Sequence, residues 1–135
     1  MSKKITADRI KLKRAYEPAA AGDGTRILID RLWPRGVKKV DAAIDQWVKD
    51  IAPSTALRKW FGHDPARWQV FRSRYAVEVA KHPERLSRLR ALARQRPITL
   101  VFSARDEVHN DAVALRDFLL GRQITRIRKT AASVD

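Results

Sequence analysis

Two polar segments of the sequence carry residue types that can move protons and bind anions. The first runs from Asp30 to Gly36 and the second from Ser103 to Asn110. The candidates for proton transfer are Asp30, as a general base or an orienting acceptor, and His109, because a free imidazole titrates near ~6.5. The candidates for ligand binding are Arg31, Trp33, Arg35, Arg58, Trp60, His63, Ser103, Arg105, Asp106 and Asn110. Together they predict a pocket for a small anionic ligand.

The positive charge of this predicted pocket would come from arginines. They are Arg31, Arg35, Arg58 and Arg105. A guanidinium binds phosphate or carboxylate through two parallel hydrogen bonds, and backbone N–H groups at a helix N-terminus after Arg105 would add to the site. In the alternative interpretation the arginines form ion pairs that only hold the loops in place, with Asp30, Asp45, Asp64 and Asp106 as partners.

The other candidates also have structural alternatives. Asp30 can cap a backbone or pair with an arginine, and His109 can cap the last helix or bond to a carbonyl. In the segment Gly-His-Asp-Pro, we expect His63 to fix a turn. Asp106 and Asn110 are four residues apart, and either can be the N-cap of the last helix. Trp33 and Trp60 either anchor the core and loops or form a pocket wall that stacks on a planar ligand.

The hydrophobic pattern indicates which elements position these segments. Residues 26–30 and 98–103 are continuous apolar runs and predict two buried strands, while the alternation of residues 9–13 predicts an edge strand. Residues 17–25 predict a loop. The order strand, helices, strand, helix predicts a single α/β domain with a small parallel sheet, possibly mixed with an antiparallel strand. In such sheets ligands bind beyond the carboxyl ends of the strands, where both polar segments lie.

Several helices are predicted between and after the two buried strands. The first would be capped by Asp41 and carry Ile44, Trp47, Val48 and Ile51. A short helix would start at Ser54 or Thr55 and end at Gly62, and another would start at Asp64-Pro65. Further helices would begin at Pro83 and after Asn110, the last ending at Gly121. The domain would span residues 1–120, followed by a flexible basic tail (121–135), in which Ile124 and Ile127 can form a short edge strand.

The composition narrows the chemistry. The chain of 135 residues has no cysteine, so thiolate catalysis and cysteine-based metal sites are excluded, and no cofactor is expected. There is no His-x-x-x-His pair, calcium-loop spacing or Gly-rich phosphate loop, so no metal site or nucleotide-driven motor is predicted. The sequence contains neither a secretory signal nor an apolar run of the ~20 residues that span a membrane. These features favour a cytosolic protein.

The net charge of +14 is the unusual bulk property. Such a balance favours polyanionic partners, although a general bias toward arginine would have no meaning for binding. A basic accessory protein that binds nucleic acid is therefore one alternative function. A protein–protein adaptor with an exposed Trp face is another. The sequence does not indicate an oligomeric state.

Three motifs resemble the YeaO-like group of the DUF488 family of proteins of unknown function. They are the strand followed by DRLWPRG, the segment APSTxLRxWFGHDPxxW, and SARDxxHN before a helix. The resemblance covers residues 9–120 and implies an α/β fold with a site at these motifs. The layout is also similar to rhodanese-type domains, in which a cysteine in the second loop carries sulfur. Here Ser103 and the stretch 107–110 stand in that loop region, so persulfide chemistry is excluded.

Overall fold

The computed structural model describes residues 5–122. The strands are β1 (Ile10–Arg14), β2 (Thr25–Leu28), β3 (Gln46–Trp47) and β4 (Ile98–Phe102). The α-helices are α1 (Lys39–Ala42), α2 (Thr55–Phe61), α3 (Trp68–Val79), α4 (Pro83–Gln95) and α5 (Asp111–Leu119). The strands form one sheet in the order β1-β4-β2-β3, and each neighbouring pair is parallel. The predicted α/β fold with a parallel sheet is confirmed, and residues 5–122 add no antiparallel strand to it.

The two faces of the sheet are covered unequally. All five residues of β4 are buried, as expected for a central strand with both faces covered. Ile98, Leu100 and Phe102 point to a large core that includes residues of helices α2 to α5. Val101 points to the other face, where a small cluster with Leu28 is covered by partly buried side chains of residues 33–47. The sheet therefore has one thick layer of helices and one thin layer.

The start of β2 depends on a glycine. Gly24 has φ 66°, in the region that side chains rarely adopt. A Cβ at this position would lie 2.0 Å from the carbonyl oxygen of Pro97. That oxygen accepts a hydrogen bond from Thr25 N at 3.1 Å, and this contact aligns the start of β2 with the start of β4. The close approach explains why a residue without a side chain stands here.

The prediction of a helix that carries Ile44, Trp47, Val48 and Ile51 was wrong. Helix α1 has only four residues, and Asp41 lies inside it rather than at its cap. Ala43 takes a left-handed conformation (φ 49°) and ends the helix. The chain then pairs with β2, because Asp45 N donates to Arg26 O at 2.9 Å and Val48 N donates to Leu28 O at 2.9 Å. Pairing with an open sheet edge thus overrides the helical spacing of the apolar residues.

The remaining elements follow the sequence signals. Ser54 caps α2 by accepting from Leu57 N at 3.1 Å, and Gly62 ends this helix with φ 54°. Asp64 caps a 3-10 turn (Pro65–Arg67) that leads into α3. Strand β1 lies at the edge of the sheet as predicted, and Gly121 follows α5 in a left-handed conformation.

The described residues end within the predicted tail. The flexibility of residues 123–135 and the edge strand of Ile124 and Ile127 concern positions outside the described part of the chain. Within residues 5–122, no helix is both long enough and apolar enough to cross a membrane.

Candidate functional site

A cleft with a volume of about 990 Å³ lies where β2 and β4 end. Its walls come from the loop after β2, from the segment between Pro53 and His63, and from the loop between β4 and α5. The predicted site residues that line it are Asp30, Arg31, Trp33, Arg35, Arg58, His63, Ser103, Arg105, Asp106, His109 and Asn110. The fold thus brings the two polar segments together at the carboxyl ends of neighbouring parallel strands.

Asp30 is fixed in the floor of the cleft by Ser103. The Oδ2 atom of Asp30 accepts hydrogen bonds from Ser103 N at 2.9 Å and from Ser103 Oγ at 2.8 Å. The carbonyl oxygen of Asp30 accepts from Trp47 Nε1 at 2.7 Å, which ties this residue to β3. No arginine among the described residues bonds to the Asp30 carboxylate. Asp30 therefore joins the loops that follow β2 and β4 as a hydrogen-bond acceptor.

Asp111 is a site residue that the sequence analysis missed. It is the first residue of α5, it lines the cleft, and its carboxyl group hydrogen-bonds to that of Asp30. Burial raises the pKa of Asp111 well above its ordinary value, and the charge and hydrogen bond of Asp30 raise it further. An acidic residue in the first turn of a helix is common, because the positive end of the helix dipole stabilises its negative charge. The sequence therefore gave no reason to single out Asp111.

Asp106 and His109 form a second hydrogen-bonded pair in the wall of the cleft. Asp106 Oδ2 lies 2.9 Å from His109 Nδ1, and Asp106 Oδ1 accepts from the backbone N–H groups of Val108 and His109, both at 2.9 Å. Hydrogen bonds lower the pKa of Asp106 to about 2. The backbone N–H of His109 contributes most, followed by the His109 side chain and the backbone N–H of Val108. The His109 ring also packs edge-on against Trp68, with centroids 5.3 Å apart. The imidazole is thus held on two sides.

Asn110, rather than Asp106, is the N-cap of α5. Asn110 Oδ1 accepts from Val113 N at 2.9 Å, and Asn110 Nδ2 donates to the carbonyl oxygen of Asp106 at 2.9 Å. Asn110 is almost fully buried, so both ends of its amide are used to hold the loop between β4 and α5. Its role in the structure is to position Asp106, His109 and Asp111.

The cationic residues of the cleft differ in how they are held. Arg31 donates to the carbonyl oxygens of Ala52 and Pro53 at 3.3–3.4 Å, so it ties the loop after β2 to the segment before α2. Four other cationic side chains line the cleft and make no hydrogen bond or ion pair with the described residues. They are Arg35, Arg58, Lys59 and Arg105, all exposed at the rim.

The alternative interpretation, in which the arginines of the cleft pair with loop carboxylates, does not agree with the contacts in the structure. Asp30 bonds to Ser103 and Asp111, as described above, and Asp106 bonds to its own turn. The other two proposed partners are used elsewhere. Asp45 Oδ2 accepts from Arg26 N at 2.8 Å, and Asp64 lies 3.7 Å from Arg67 Nε. Positive charge at the rim is therefore not neutralised by these four carboxylates.

Two predicted aromatic residues have different positions. Trp33 lines the cleft, and its Nε1 donates to Val37 O at 2.7 Å. Trp60 does not contribute to the lining, because its ring lies against the guanidinium groups of Arg67 (5.2 Å) and Arg74 (4.4 Å). Of its two predicted roles, this position is that of an anchor rather than of a wall of this cleft. His63 has φ 57° in the turn after α2 and lines the cleft beside Phe61.

The fold and the cleft define a small α/β protein with a polar site at the ends of parallel strands. Within residues 5–122, no three His, Asp or Glu side chains come close enough to hold a metal ion. The chain belongs to the DUF488-N3i family, described as the inactive DUF488-N3 subclade, whose model matches residues 9–134.

Curated relatives cover most of the chain. The uncharacterized protein YeaO of Escherichia coli is 47% identical over 110 residues, which are 82% of this chain and 96% of the relative. The uncharacterized protein Rv3073c of Mycobacterium tuberculosis is 39% identical over 118 residues, which are 87% of this chain and 99% of the relative. No solved structure matches the chain. The similarity to rhodanese-type domains therefore stays a prediction.

Proposed function

We propose that the cleft binds a small organic anion. The observation that carries this proposal is a set of four cationic side chains at the rim that make no hydrogen bond or ion pair within residues 5–122: Arg35, Arg58, Lys59 and Arg105. Many other arginines of the chain have partners; Arg14, for example, donates to Ala104 O at 2.8 Å, and Arg90 donates to Phe118 O at 3.0 Å. Cations that line a cleft and keep their hydrogen-bond donors free are available to an anion.

The proposed function is binding, and an assay of turnover with each ligand that binds tests whether a reaction follows. The chain has no cysteine, and the description of its subclade as inactive favours binding over catalysis. If a reaction does occur, His109 and Asp30 are the groups at the cleft that can exchange protons with a ligand. Such a reaction would be acid–base chemistry without a covalent thiol intermediate. We further propose that the protein acts in the cytosol.

Binding can be tested by calorimetry and thermal shift with inorganic phosphate, dicarboxylates, mononucleotides and a short oligonucleotide. A ligand at 100 times its dissociation constant should stabilise the protein by about 2.7 kcal/mol. We expect Arg58→Gln and Arg105→Gln to weaken binding of the small anion about tenfold each, since each removes one charged hydrogen bond. Arg96→Gln is the matched control, because Arg96 is exposed at the opposite end of β4.

The same panel tests the nucleic-acid alternative. The net charge of +14 would support oligonucleotide binding through basic faces outside the cleft. In that case the affinity for the oligonucleotide falls steeply with salt and does not respond to Arg58→Gln or Arg105→Gln. A panel in which no small anion binds, or in which the Arg96 control weakens binding as much as the cleft variants, would contradict the proposed function.

A further inference from the structure

The hydrogen bond between Asp106 and His109 determines which imidazole nitrogen carries a proton. An ionised carboxylate can only accept hydrogen bonds, so His109 Nδ1 must be the donor at the 2.9 Å contact with Asp106 Oδ2. In the neutral imidazole the other nitrogen, Nε2, then has a free lone pair. The edge contact with Trp68 holds the plane of the ring. His109 is therefore fixed in one tautomer and one orientation.

The His109 side chain is part of the cleft lining. His109 lines the cleft together with Asp30 and Asp111, and Nε2 has no hydrogen-bond partner among the described residues. Asp30 carries a carboxylate that already receives two hydrogen bonds from Ser103. The inner part of the cleft thus presents hydrogen-bond acceptors, whereas the unpaired cations lie at its exposed rim. A ligand that satisfies both regions has an anionic end and an end that donates hydrogen bonds.

We propose that Asp106 is a positioning residue that keeps the proton on Nδ1 of His109, so that Nε2 accepts a hydrogen bond from the ligand. The ligand is then a small anion that also carries a hydroxyl or amino group. This inference rests on the proposed anion-binding function and adds the chemical class of the ligand. According to this inference, His109 and not the cations at the rim determines which of two similar anions binds more tightly.

Matched pairs of probes test the ligand class. Glycerol 3-phosphate is compared with n-propyl phosphate, and malate with succinate, because the members of each pair have the same charged groups and differ in hydroxyls. We expect the hydroxylated member to bind roughly three- to tenfold more tightly, the usual range for one added hydrogen bond. Equal binding within both pairs would overturn the inference and leave the proposed function intact. Absence of binding by all four probes would overturn the inference, and the proposed function is overturned as well when the other anions of the panel also fail to bind.

Asp106→Asn tests the positioning role with little change of shape. The Asn side-chain oxygen can still accept from the N–H groups of Val108 and His109, which Asp106 Oδ1 accepts now. Its amide nitrogen, however, is a donor and would face His109 Nδ1, which moves the proton to Nε2. We expect the ratio of dissociation constants within each pair to fall to about one in this variant, so that the preference for the hydroxylated probes disappears. The loss of the Asp106 charge changes the affinity for both members of a pair alike, so this ratio reports the His109 hydrogen bond alone.

The tautomer can be observed directly by NMR, because the chain has only three histidines. Long-range ¹H–¹⁵N spectra should show His109 protonated at Nδ1 in the wild type and at Nε2 in Asp106→Asn, with the signals of His63 and His82 unchanged. A purely structural role for Asp106 would not move the tautomer. A wild-type His109 protonated at Nε2, or a hydroxyl preference that survives the tautomer change, would overturn the proposal.

Discussion

The carboxyl groups of Asp30 and Asp111 share a hydrogen bond at the floor of the cleft, where the chain leaves β2 and enters α5. Two carboxyl groups that share a hydrogen bond favour a state with one proton and one negative charge. Asp30 Oδ2 also accepts two hydrogen bonds from Ser103. Burial and the Asp30 charge raise the pKa of Asp111, so Asp111 holds the proton of the pair.

Asp111→Asn should stabilise the protein at neutral and alkaline pH. Because the folded-state pKa of Asp111 is raised above the ordinary value of 3.8, its contribution to stability is fully present below pH 3.8 and is lost as the pH rises through the raised value. Asparagine keeps a hydrogen-bond donor for Asp30 and has no proton to lose. We expect the Tm difference between variant and wild type to grow from pH 4 to pH 9.

Asp41→Asn is the control for this experiment, since Asp41 is an exposed carboxylate away from the cleft. Its Tm should follow that of the wild type at each pH. A loss of stability in Asp111→Asn at pH 8 would show that the pair is not under charge repulsion in the folded state.

Asp106→Ala should affect acid stability in the opposite sense. The folded-state pKa of Asp106 is lowered from 3.8 to about 2, so its contribution is present above pH 3.8 and is lost as the pH falls through about 2. We expect the alanine variant to lose about 1–2 kcal/mol of unfolding free energy at pH 7, because three hydrogen bonds disappear. Urea denaturation at pH 7 and pH 2.5 measures both values. If the alanine variant loses as much unfolding free energy at pH 2.5 as at pH 7, the lowered pKa of Asp106 is contradicted.

The sequence was sufficient to predict the central elements of the fold and the position of the cleft. The buried runs of β2 and β4 and the polar loops after them have unambiguous patterns, and parallel strands place their carboxyl ends together. The strand β3 was missed because Ile44, Trp47 and Val48 also fit a helical face. They form a strand because they pair with the open edge of β2, and the sequence around residues 44–48 contains no information about that edge.

The partners of the site residues were less predictable than their position. Asp106, Asp111 and His109 lie within six residues of sequence, yet which of them pairs with which depends on the turn fixed by Asn110. The role of Asp111 depends on contact with Asp30, which comes from a distant loop. For Trp60 the sequence left a choice between an anchor and a pocket wall, because a short helix can present a tryptophan to either side, and two arginines cover this one.

Gly24→Ala should be among the most destabilising single changes in the chain. The new Cβ would clash with the carbonyl oxygen of Pro97, at 2.0 Å, and the residue would also keep an unfavourable positive φ. We expect a loss of about 3 kcal/mol or more, or failure to fold. Gly36→Ala is the matched control, because Gly36 also has a positive φ (79°) but no atom within 4 Å of the added Cβ. Its cost should be limited to about 1–2 kcal/mol of backbone strain. Chemical denaturation that gives equal losses for the two variants would contradict the role of the Pro97 contact.

Ser54→Ala should weaken both the protein and its proposed binding site. Ser54 Oγ caps α2 through Leu57 N, and Glu78 accepts from Ser54 N at 2.8 Å and from Ser54 Oγ at 2.5 Å. Loss of the cap should lower the unfolding free energy by about 1 kcal/mol. Because α2 carries Arg58 and Lys59 to the rim, affinity for a small anion should fall as well. Ser87→Ala is the matched control, because Ser87 is exposed in α4 and does not line the cleft. This variant should not lower the denaturation midpoint and should leave the dissociation constant unchanged.

The unequal covering of the sheet sets which wall of the cleft can move. Residues 33–47 cover the thin face, where only Ala15, Leu28 and Val101 form the buried cluster, and they include Trp33 and Arg35 of the cleft. Segments with few buried contacts open locally at a lower free energy than the main core. Amide hydrogens of residues 33–47 should therefore exchange with solvent faster than those of β4. We expect a ligand to enter by local opening of this wall, while helices α2 to α5 stay folded and the hydrogen bond between Asp106 and His109 is kept.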